Sequence, residues 1–168
     1  FCDVAVDAVM TSRDVKSVYE VPLVLAEQGV DEIVMRLLRI EAGPRDLTRW
    51  QAMVTRLKNP AGEVDIGLVG KYVEYEDSYK SLNEALLHGG LAHNLRVNIH
   101  WIEAEELSWP SCADRLKPYD GILVPGGFGK RGIEGMIHAI RYAREYKVPY
   151  FGICLGMQTA VIEYARNM

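Results

Sequence analysis

Apolar residues recur with two different rhythms along the chain. In the first part they follow helical spacing over three stretches, residues 22–28, 31–40 and 47–57. The segment that follows contains Asn59-Pro60, and proline cannot continue a helix. We therefore predict a helical part over residues 1–57, a linker over residues 58–63 and a separate domain over residues 64–168.

From residue 64 onwards, short apolar runs alternate with helical patterns. The predicted strands lie at residues 64–69, 96–102, 119–124 and 148–153. The predicted helices lie at residues 78–91, 133–147 and 155–167. Strands that alternate with helices of this length form a parallel sheet with helices on both faces. The pattern predicts an α/β fold whose ligands bind at the carboxyl ends of the strands.

A strand-to-helix turn with the pattern Gly-x-Cys-x-Gly lies at residues 152–156. This is the cysteine form of a nucleophile elbow, in which only very small residues fit two positions before and after the nucleophile. The thiol projects at a helix N-terminus, where the macrodipole favours the thiolate. A lone free cysteine is more often a buried core residue, but the flanking glycines reverse that preference. We predict that Cys154 is a nucleophile and that Cys2 and Cys112 are inert.

The glycine-rich loop at residues 125–129 is the expected source of an oxyanion-binding donor. A thiolate that attacks an amide generates a tetrahedral oxyanion, which needs two preorganised donors. The backbone N–H of Leu155, directly after the nucleophile, is one. The loop follows strand 119–124 and can supply the second, although a plain turn is the alternative interpretation. Lys130 and Arg131, which follow the loop, are either ligand contacts or solvated charges.

Composition narrows the class of protein without identifying a function. The chain has 168 residues, with 49% hydrophobic and 25% charged, which is ordinary globular usage. A net charge of -4 argues against a general nucleic-acid binder. No apolar run approaches the roughly 20 residues of a membrane helix. The three cysteines contain no CxxC pair, so we predict no metal site and a reducing, cytoplasmic location.

Three strings of the sequence resemble the CTP synthase family: VGKYVEYEDSYKSLNEAL (69–86), VPGGFGKRGIEGM (124–136) and PYFGICLGMQ (149–158). The string TSRDVKSVYEVP (11–22) resembles the end of that family's ATP-dependent synthetase domain. The resemblance implies a truncated class I glutamine amidotransferase domain of flavodoxin-like fold over residues 64–168. It also implies that residues 1–57 are the helical C-terminal tail of a P-loop-type synthetase domain, so that the chain is an internal fragment.

The resemblance also implies a reaction. The family is a ligase that makes CTP from UTP: ATP phosphorylates the uracil O4, and ammonia from glutamine displaces that phosphate. L-glutamine, UTP and ATP with Mg²⁺ are therefore the implied ligands, with GTP as an activator of the glutaminase. A homotetramer is implied, without a nucleic-acid or membrane partner.

Site residues follow from the resemblance by position. Cys154 would be the nucleophile. Gly127 and Leu155 would donate to the oxyanion and contact the glutamine, and Gln158 would bind the glutamine as well. Asp14 and Val15 match the family's adenine-contacting stretch, so they are the implied ATP-binding residues. Tyr72, Tyr75 and Tyr79, with Lys71 and Lys80, are candidates for an activator pocket or an interface with the synthetase.

One part of the family's pattern is absent. The general-base histidine and its carboxylate partner lie in a late motif of the family, and residues 155–168 contain no histidine. The four histidines all precede the elbow and are interpreted as surface or packing residues: His88, His93, His100 and His138. We therefore expect the fragment to be inactive, with Ile153, Leu155 and Val161 partly exposed.

Two other functions remain open at this point. A stand-alone cysteine hydrolase of related fold would use the same elbow, but it has no need of residues 1–57. A non-catalytic assembly fragment is the other alternative, because family members form tetramers and can stack into filaments. The intact elbow favours chemistry.

Overall fold

The computed structural model describes residues 3–71 and 76–168, with the backbone alone for Glu76 and Asp77. The chain divides into two compact units, Phe1–Asn59 and Pro60–Met168. Each unit is described by itself.

The first unit is helical. Its helices are α1 (Val21–Glu27), α2 (Val30–Leu38) and α3 (Thr48–Lys58), with 3-10 turns at Val6–Ala8 and Val18–Glu20. Gly29 has a φ of 69°, a left-handed conformation that suits glycine, and it separates α1 from α2. The Trp50 indole donates to the carbonyl of Tyr19 at 2.8 Å, and this hydrogen bond joins α3 to the 3-10 turn at Val18–Glu20. These helices coincide within one or two residues with the three predicted stretches.

The second unit is a parallel α/β layer structure, as the alternating pattern predicted. Its strands are β1 (Gly62–Gly70), β2 (Leu95–Glu103), β3 (Gly121–Val124) and β4 (Tyr150–Gly152). Its helices are α4 (Lys80–Ala92), α5 (Cys112–Leu116), α6 (Ile133–Tyr146) and α7 (Leu155–Asn167). In the described residues the strand order is β2-β1-β3-β4, and every neighbouring pair is parallel.

The stretch between α3 and β1 is shorter than the predicted linker. We expected a linker over residues 58–63, but Lys58 is the last residue of α3 and Gly62 the first of β1. Gly62 and Glu63 pair with Leu95 and Arg96 of β2, so the sheet ladder captures residues that look like a turn in the sequence.

The core of the second unit lies between the sheet and α6. Ile122 and Val124 of β3 and Met136 and Ile140 of α6 are all buried in one apolar cluster. Cys112 belongs to the same cluster, and burial raises the pKa of its thiol, which disfavours the reactive thiolate.

An ion pair joins α6 to α7 and so holds the helix that follows Cys154. The Arg144 guanidinium donates to both carboxylate oxygens of Glu163, with the shortest contact at 2.8 Å from Nη2. Glu163 is 1% exposed, so this carboxylate is desolvated and depends on its partners. The Asn167 side-chain amide supplies a further hydrogen bond.

Across residues 3–71 and 76–168, no helix combines the length and the apolar character needed to cross a membrane.

Candidate active site

The turn between β4 and α7 holds Cys154 in a strained backbone conformation. Its φ and ψ are 51° and -103°, outside the regions that non-glycine residues ordinarily occupy. Such a conformation costs on the order of 1–3 kcal/mol and persists only where the surroundings enforce it. Two backbone hydrogen bonds hold the residues beside Cys154: the Ile153 N–H donates to the carbonyl of Val124, and the Gly156 N–H donates to the carbonyl of Ile153. The result is an exposed thiol at the start of a 13-residue helix.

The glycines on either side of Cys154 cannot carry a side chain. A Cβ at Gly152 would lie 2.6 Å from the Tyr150 hydroxyl and from the carbonyl carbon of Gly156. A Cβ at Gly156 would lie 2.1 Å from the carbonyl oxygen of Val124, at the end of β3. The steric requirement of a nucleophile elbow, expected from the sequence, is therefore confirmed.

Two hydroxyls anchor the first turn of α7. Tyr150 Oη donates to the carbonyl oxygen of Gly156 at 2.7 Å, and Thr159 Oγ1 donates to the same oxygen at 3.0 Å. Burial raises the pKa of the Tyr150 phenol, so this donor keeps its proton. Neither residue was among the predicted site residues. The one sequence feature that could have pointed to Tyr150 is its position, two residues before the elbow glycine Gly152.

The loop at residues 125–129 runs beside the nucleophile. A Cβ at Gly126 would lie 3.6 Å from the Cβ of Cys154, and one at Gly127 would lie 3.3 Å from Cδ2 of Leu155. The fold thus brings the predicted oxyanion donors, Gly127 and Leu155, to the same side of the elbow. This proximity follows from the adjacency of β3 and β4, whose carboxyl ends the loop and the elbow continue.

The side chain of Lys71 is hydrogen-bonded to this loop. It is 3% exposed, and its Nζ donates to the carbonyls of Phe128 at 3.1 Å and Gly129 at 2.7 Å. Burial lowers the pKa of the ammonium; the positive charge of Arg131 lowers it further, and Glu105 opposes these effects. Lys71 was a candidate for an activator pocket or a domain interface, but its ammonium is directed to the loop.

Arg131 is hydrogen-bonded within the fold. Its guanidinium donates to the backbone carbonyl of Lys71 and pairs with Glu105 at 3.3 Å. The side chain is half exposed, as a solvated charge would be, and it also ties the loop to the end of β1.

A cavity of about 390 Å³ adjoins the elbow. Its walls are the start of α4 together with Pro125, Gly126 and Ile153. Tyr79 lines it and packs against Trp101 with ring centroids 5.2 Å apart. The volume is at the lower end of small-molecule sites. Tyr72 and Tyr75, the other aromatic candidates for this region, lie outside the described residues.

The remaining predicted residues fall in two places. Gln158 lies one turn into α7, is exposed, and donates its backbone N–H to the carbonyl of Cys154. Asp14 and Val15 lie in the first unit, in a stretch without regular secondary structure. Leu155 is only 8% exposed, so the expectation that it would be partly exposed is wrong: it packs into the core cluster. Val161 is 65% exposed, as expected.

The four histidines lie on or beside three different elements, β2, α4 and α6. His100 lies on β2 and hydrogen-bonds to Asp65 at 2.6 Å; β2 and β4 are opposite edges of the described sheet. His93 follows the last residue of α4 and lies just before the amino end of β2. His88 lies within α4 and His138 within α6. Within the described ranges, no group of three or more His, Cys, Asp or Glu side chains could hold a metal ion.

Comparisons with known proteins agree with this geometry. The family model described as "Glutamine amidotransferase class-I" matches residues 74–168. The chain is 62% identical over 168 residues to a CTP synthase of Acidobacterium capsulatum and 64% identical over 170 residues to one of Koribacter versatilis. Both matches cover 100% of this chain, but only 31% and 30% of the relatives. The chain therefore spans about a third of the length of the curated relatives it matches.

A solved structure is similar as well. The glutaminase domain of Trypanosoma brucei CTPS with bound acivicin is 43% identical, with a TM-score of 0.58 over 62% of this chain and 41% of that one. The predicted resemblance to CTP synthase and the predicted amidotransferase fold are thereby confirmed. A strained cysteine between two obligatory glycines, within a segment that the family model matches, has one consistent explanation: the chain belongs to the class I glutamine amidotransferase family.

Proposed function

We propose that this chain supplies the nucleophile of the glutaminase in a CTP synthase. The observation that carries the proposal is the geometry of Cys154, whose exposed thiol stands at the start of α7 beside the Gly126-Gly127 turn. The similarity to CTP synthases over all 168 residues supports it. A stand-alone cysteine hydrolase is disfavoured, because that similarity includes residues 1–57.

In the proposed reaction, the Cys154 thiolate attacks the side-chain amide carbon of L-glutamine. A C–S bond forms, and the π electrons of the carbonyl move to its oxygen. The backbone N–H groups of Gly127 and Leu155 donate to this oxyanion, and Gln158 contacts the bound glutamine. Collapse of the intermediate breaks the C–N bond and releases ammonia, which takes a proton from a general acid. Water then hydrolyses the thioester to glutamate.

The proton-transfer group of this reaction is assigned outside the chain. One histidine can protonate the departing ammonia and then activate the water. His100 lies on β2, at the opposite edge of the described sheet from β4, and His93 lies just before the amino end of β2. His88 and His138 lie within α4 and α6, and none of the four is assigned to the elbow. We therefore propose that a histidine and its carboxylate partner come from a segment beyond this sequence.

The remaining parts of the proposal concern a longer protein. Residues 1–57 would be the end of its synthetase domain, and residues 64–168 would be the first part of its glutaminase domain. Asp14 and Val15 would contact the adenine of ATP, UTP would be aminated, and GTP would activate the glutaminase. The protein would be a cytoplasmic homotetramer. Mg²⁺ would accompany ATP in that longer protein.

A chimera tests this function directly. The 168-residue chain replaces the matching segment of the Acidobacterium capsulatum CTP synthase, to which it is 62% identical throughout. We expect the chimera to make CTP from UTP with either glutamine or free ammonia. Acivicin, the compound in the trypanosome structure, should label Cys154.

The Cys154→Ala chimera separates the two reactions. It should lose glutamine-dependent synthesis and keep ammonia-dependent synthesis, because only the first requires the thiol. A chimera that assembles but uses neither nitrogen source would support the non-catalytic alternative. Glutamine-dependent synthesis by Cys154→Ala would refute the proposed role of the thiol.

A further inference from the structure

Lys71 is a buried cation with a specific set of partners. It follows Gly70, the last residue of β1, and 3% of it is exposed. A buried ammonium is costly unless hydrogen bonds replace its lost hydration. Its two carbonyl partners, at 3.1 and 2.7 Å, both belong to the loop beside Cys154. The hydrogen bonds that compensate for the burial of this ammonium therefore come from the loop.

The loop needs an external restraint because of its composition. Three of the five residues from 125 to 129 are glycines, and Gly129 has a φ of 77°. Glycine-rich backbone has more accessible conformations than any other, so the loop loses much entropy when it is ordered. Two hydrogen bonds from one ammonium fix the carbonyls of Phe128 and Gly129, directly after Gly127.

The aliphatic stem of Lys71 completes the restraint. A Cβ at Gly127 would lie 3.7 Å from Cδ and 3.8 Å from Cε of Lys71, so the stem packs under the Gly127 backbone. The same Cβ position would lie 3.3 Å from Cδ2 of Leu155. Gly127 thus packs against both the lysine stem and the residue after the nucleophile.

Lys71 is itself held in place from the far end of the same loop. The Arg131 guanidinium donates to its backbone carbonyl and pairs with Glu105 after β2. Gly132, the residue before α6, also approaches its side chain, with a Cβ position 3.7 Å from Cγ of Lys71. Contacts from the start of α6 and, through Arg131, from the segment after β2 therefore meet at Lys71, directly after β1.

We propose that Lys71 is a positioning residue, which holds the 125–129 loop so that the Gly127 N–H meets the oxyanion formed at Cys154. The inference rests on the proposed glutaminase function. Lys71 does not touch the reacting atoms in this assignment. It acts through the orientation of the Gly127 peptide.

The test compares Lys71→Met with wild type in the chimera. Methionine keeps the apolar stem and removes the ammonium. We expect kcat for glutamine hydrolysis to fall about 10- to 100-fold, somewhat less than the loss of a whole oxyanion donor. The KM for glutamine should stay within about threefold, because an oxyanion donor acts in the transition state. Ammonia-dependent synthesis should be unchanged.

Two additional variants make the result specific. Lys71→Gln keeps one donor group and should retain an intermediate kcat. Lys117→Met removes a lysine that is exposed before β3 and should behave as wild type. An aldehyde analogue of glutamine, which the thiol converts to a tetrahedral adduct, should bind Lys71→Met more weakly by about the same factor as kcat falls.

The possible failures are distinguishable. A kcat within about twofold of wild type for Lys71→Met would overturn the positioning role while acivicin still labels Cys154. Equal loss of the glutamine- and ammonia-dependent reactions would show a role in folding and would also overturn it. A wild-type chimera that neither hydrolyses glutamine nor reacts with acivicin would overturn the glutaminase function and this inference together.

Discussion

The phenol of Tyr150 donates a 2.7 Å hydrogen bond to the carbonyl of Gly156 and so spans the turn that carries Cys154. Tyr150 begins β4, and Gly156 lies in the first turn of α7. The bond therefore connects the two elements whose relative position defines the elbow. It helps to keep Cys154 in a backbone conformation that it would not adopt alone.

Tyr150→Phe should lower the free energy of unfolding by about 1 kcal/mol, the usual worth of one neutral hydrogen bond. Denaturant unfolding of the chimera measures this. Tyr164→Phe is the matched control, because Tyr164 lies on α7 and is 61% exposed. Equal stability of the two variants would show that the Tyr150 bond contributes nothing.

The same residue predicts a pH dependence. Burial raises the pKa of the Tyr150 phenol in the folded state. Its contribution is therefore complete below the unfolded-state pKa of about 10 and is lost as the pH rises through the folded-state value. Between about pH 8 and about pH 11, wild type should lose more stability than Tyr150→Phe. Parallel losses would contradict the assignment.

Gly156→Ala should disrupt the elbow. Its Cβ would lie 2.1 Å from the carbonyl oxygen of Val124, which is backbone and cannot rotate away. We expect a loss of stability of at least about 1–3 kcal/mol, the usual cost of overpacking, and loss of acivicin labelling. Gly89→Ala is the control: it lies in α4 with nothing within 4 Å, so it should stabilise by about 0.5–1 kcal/mol.

Gly127→Pro should impair the glutaminase more than the fold. Proline removes the N–H that we assign to the oxyanion, and one such donor is worth about 100- to 1000-fold in rate. Glutamine- and ammonia-dependent CTP synthesis by the chimera measure the two effects separately. Near-normal glutamine hydrolysis would place the second donor elsewhere.

The 168-residue chain by itself should release no ammonia from glutamine above background. A thiolate can attack, but none of the four histidines is assigned to the elbow as its proton donor. We also expect poor solubility, because Phe151, Met157 and Val161 are each more than half exposed. Steady ammonia release that is lost in Cys154→Ala would overturn the prediction of inactivity.

The sequence alone determined the features that depend on local geometry. The parallel α/β class followed from the alternation of apolar runs and helical spacing. The elbow followed from Gly152, Cys154 and Gly156, because a strand-to-helix turn this tight excludes a Cβ at both outer positions. These features could be predicted because each depends on residues that lie close together in the chain.

Only the tertiary structure decided the features that join distant segments. Lys71 and Gly129 are 58 residues apart, and they meet because β1 and β3 are neighbours in the sheet. The same strand order puts β2, with His100, at the opposite edge from β4. Leu155 is buried because α7 packs against β3 and β4. Strand order is a property of the whole sheet, so no local pattern specified these contacts.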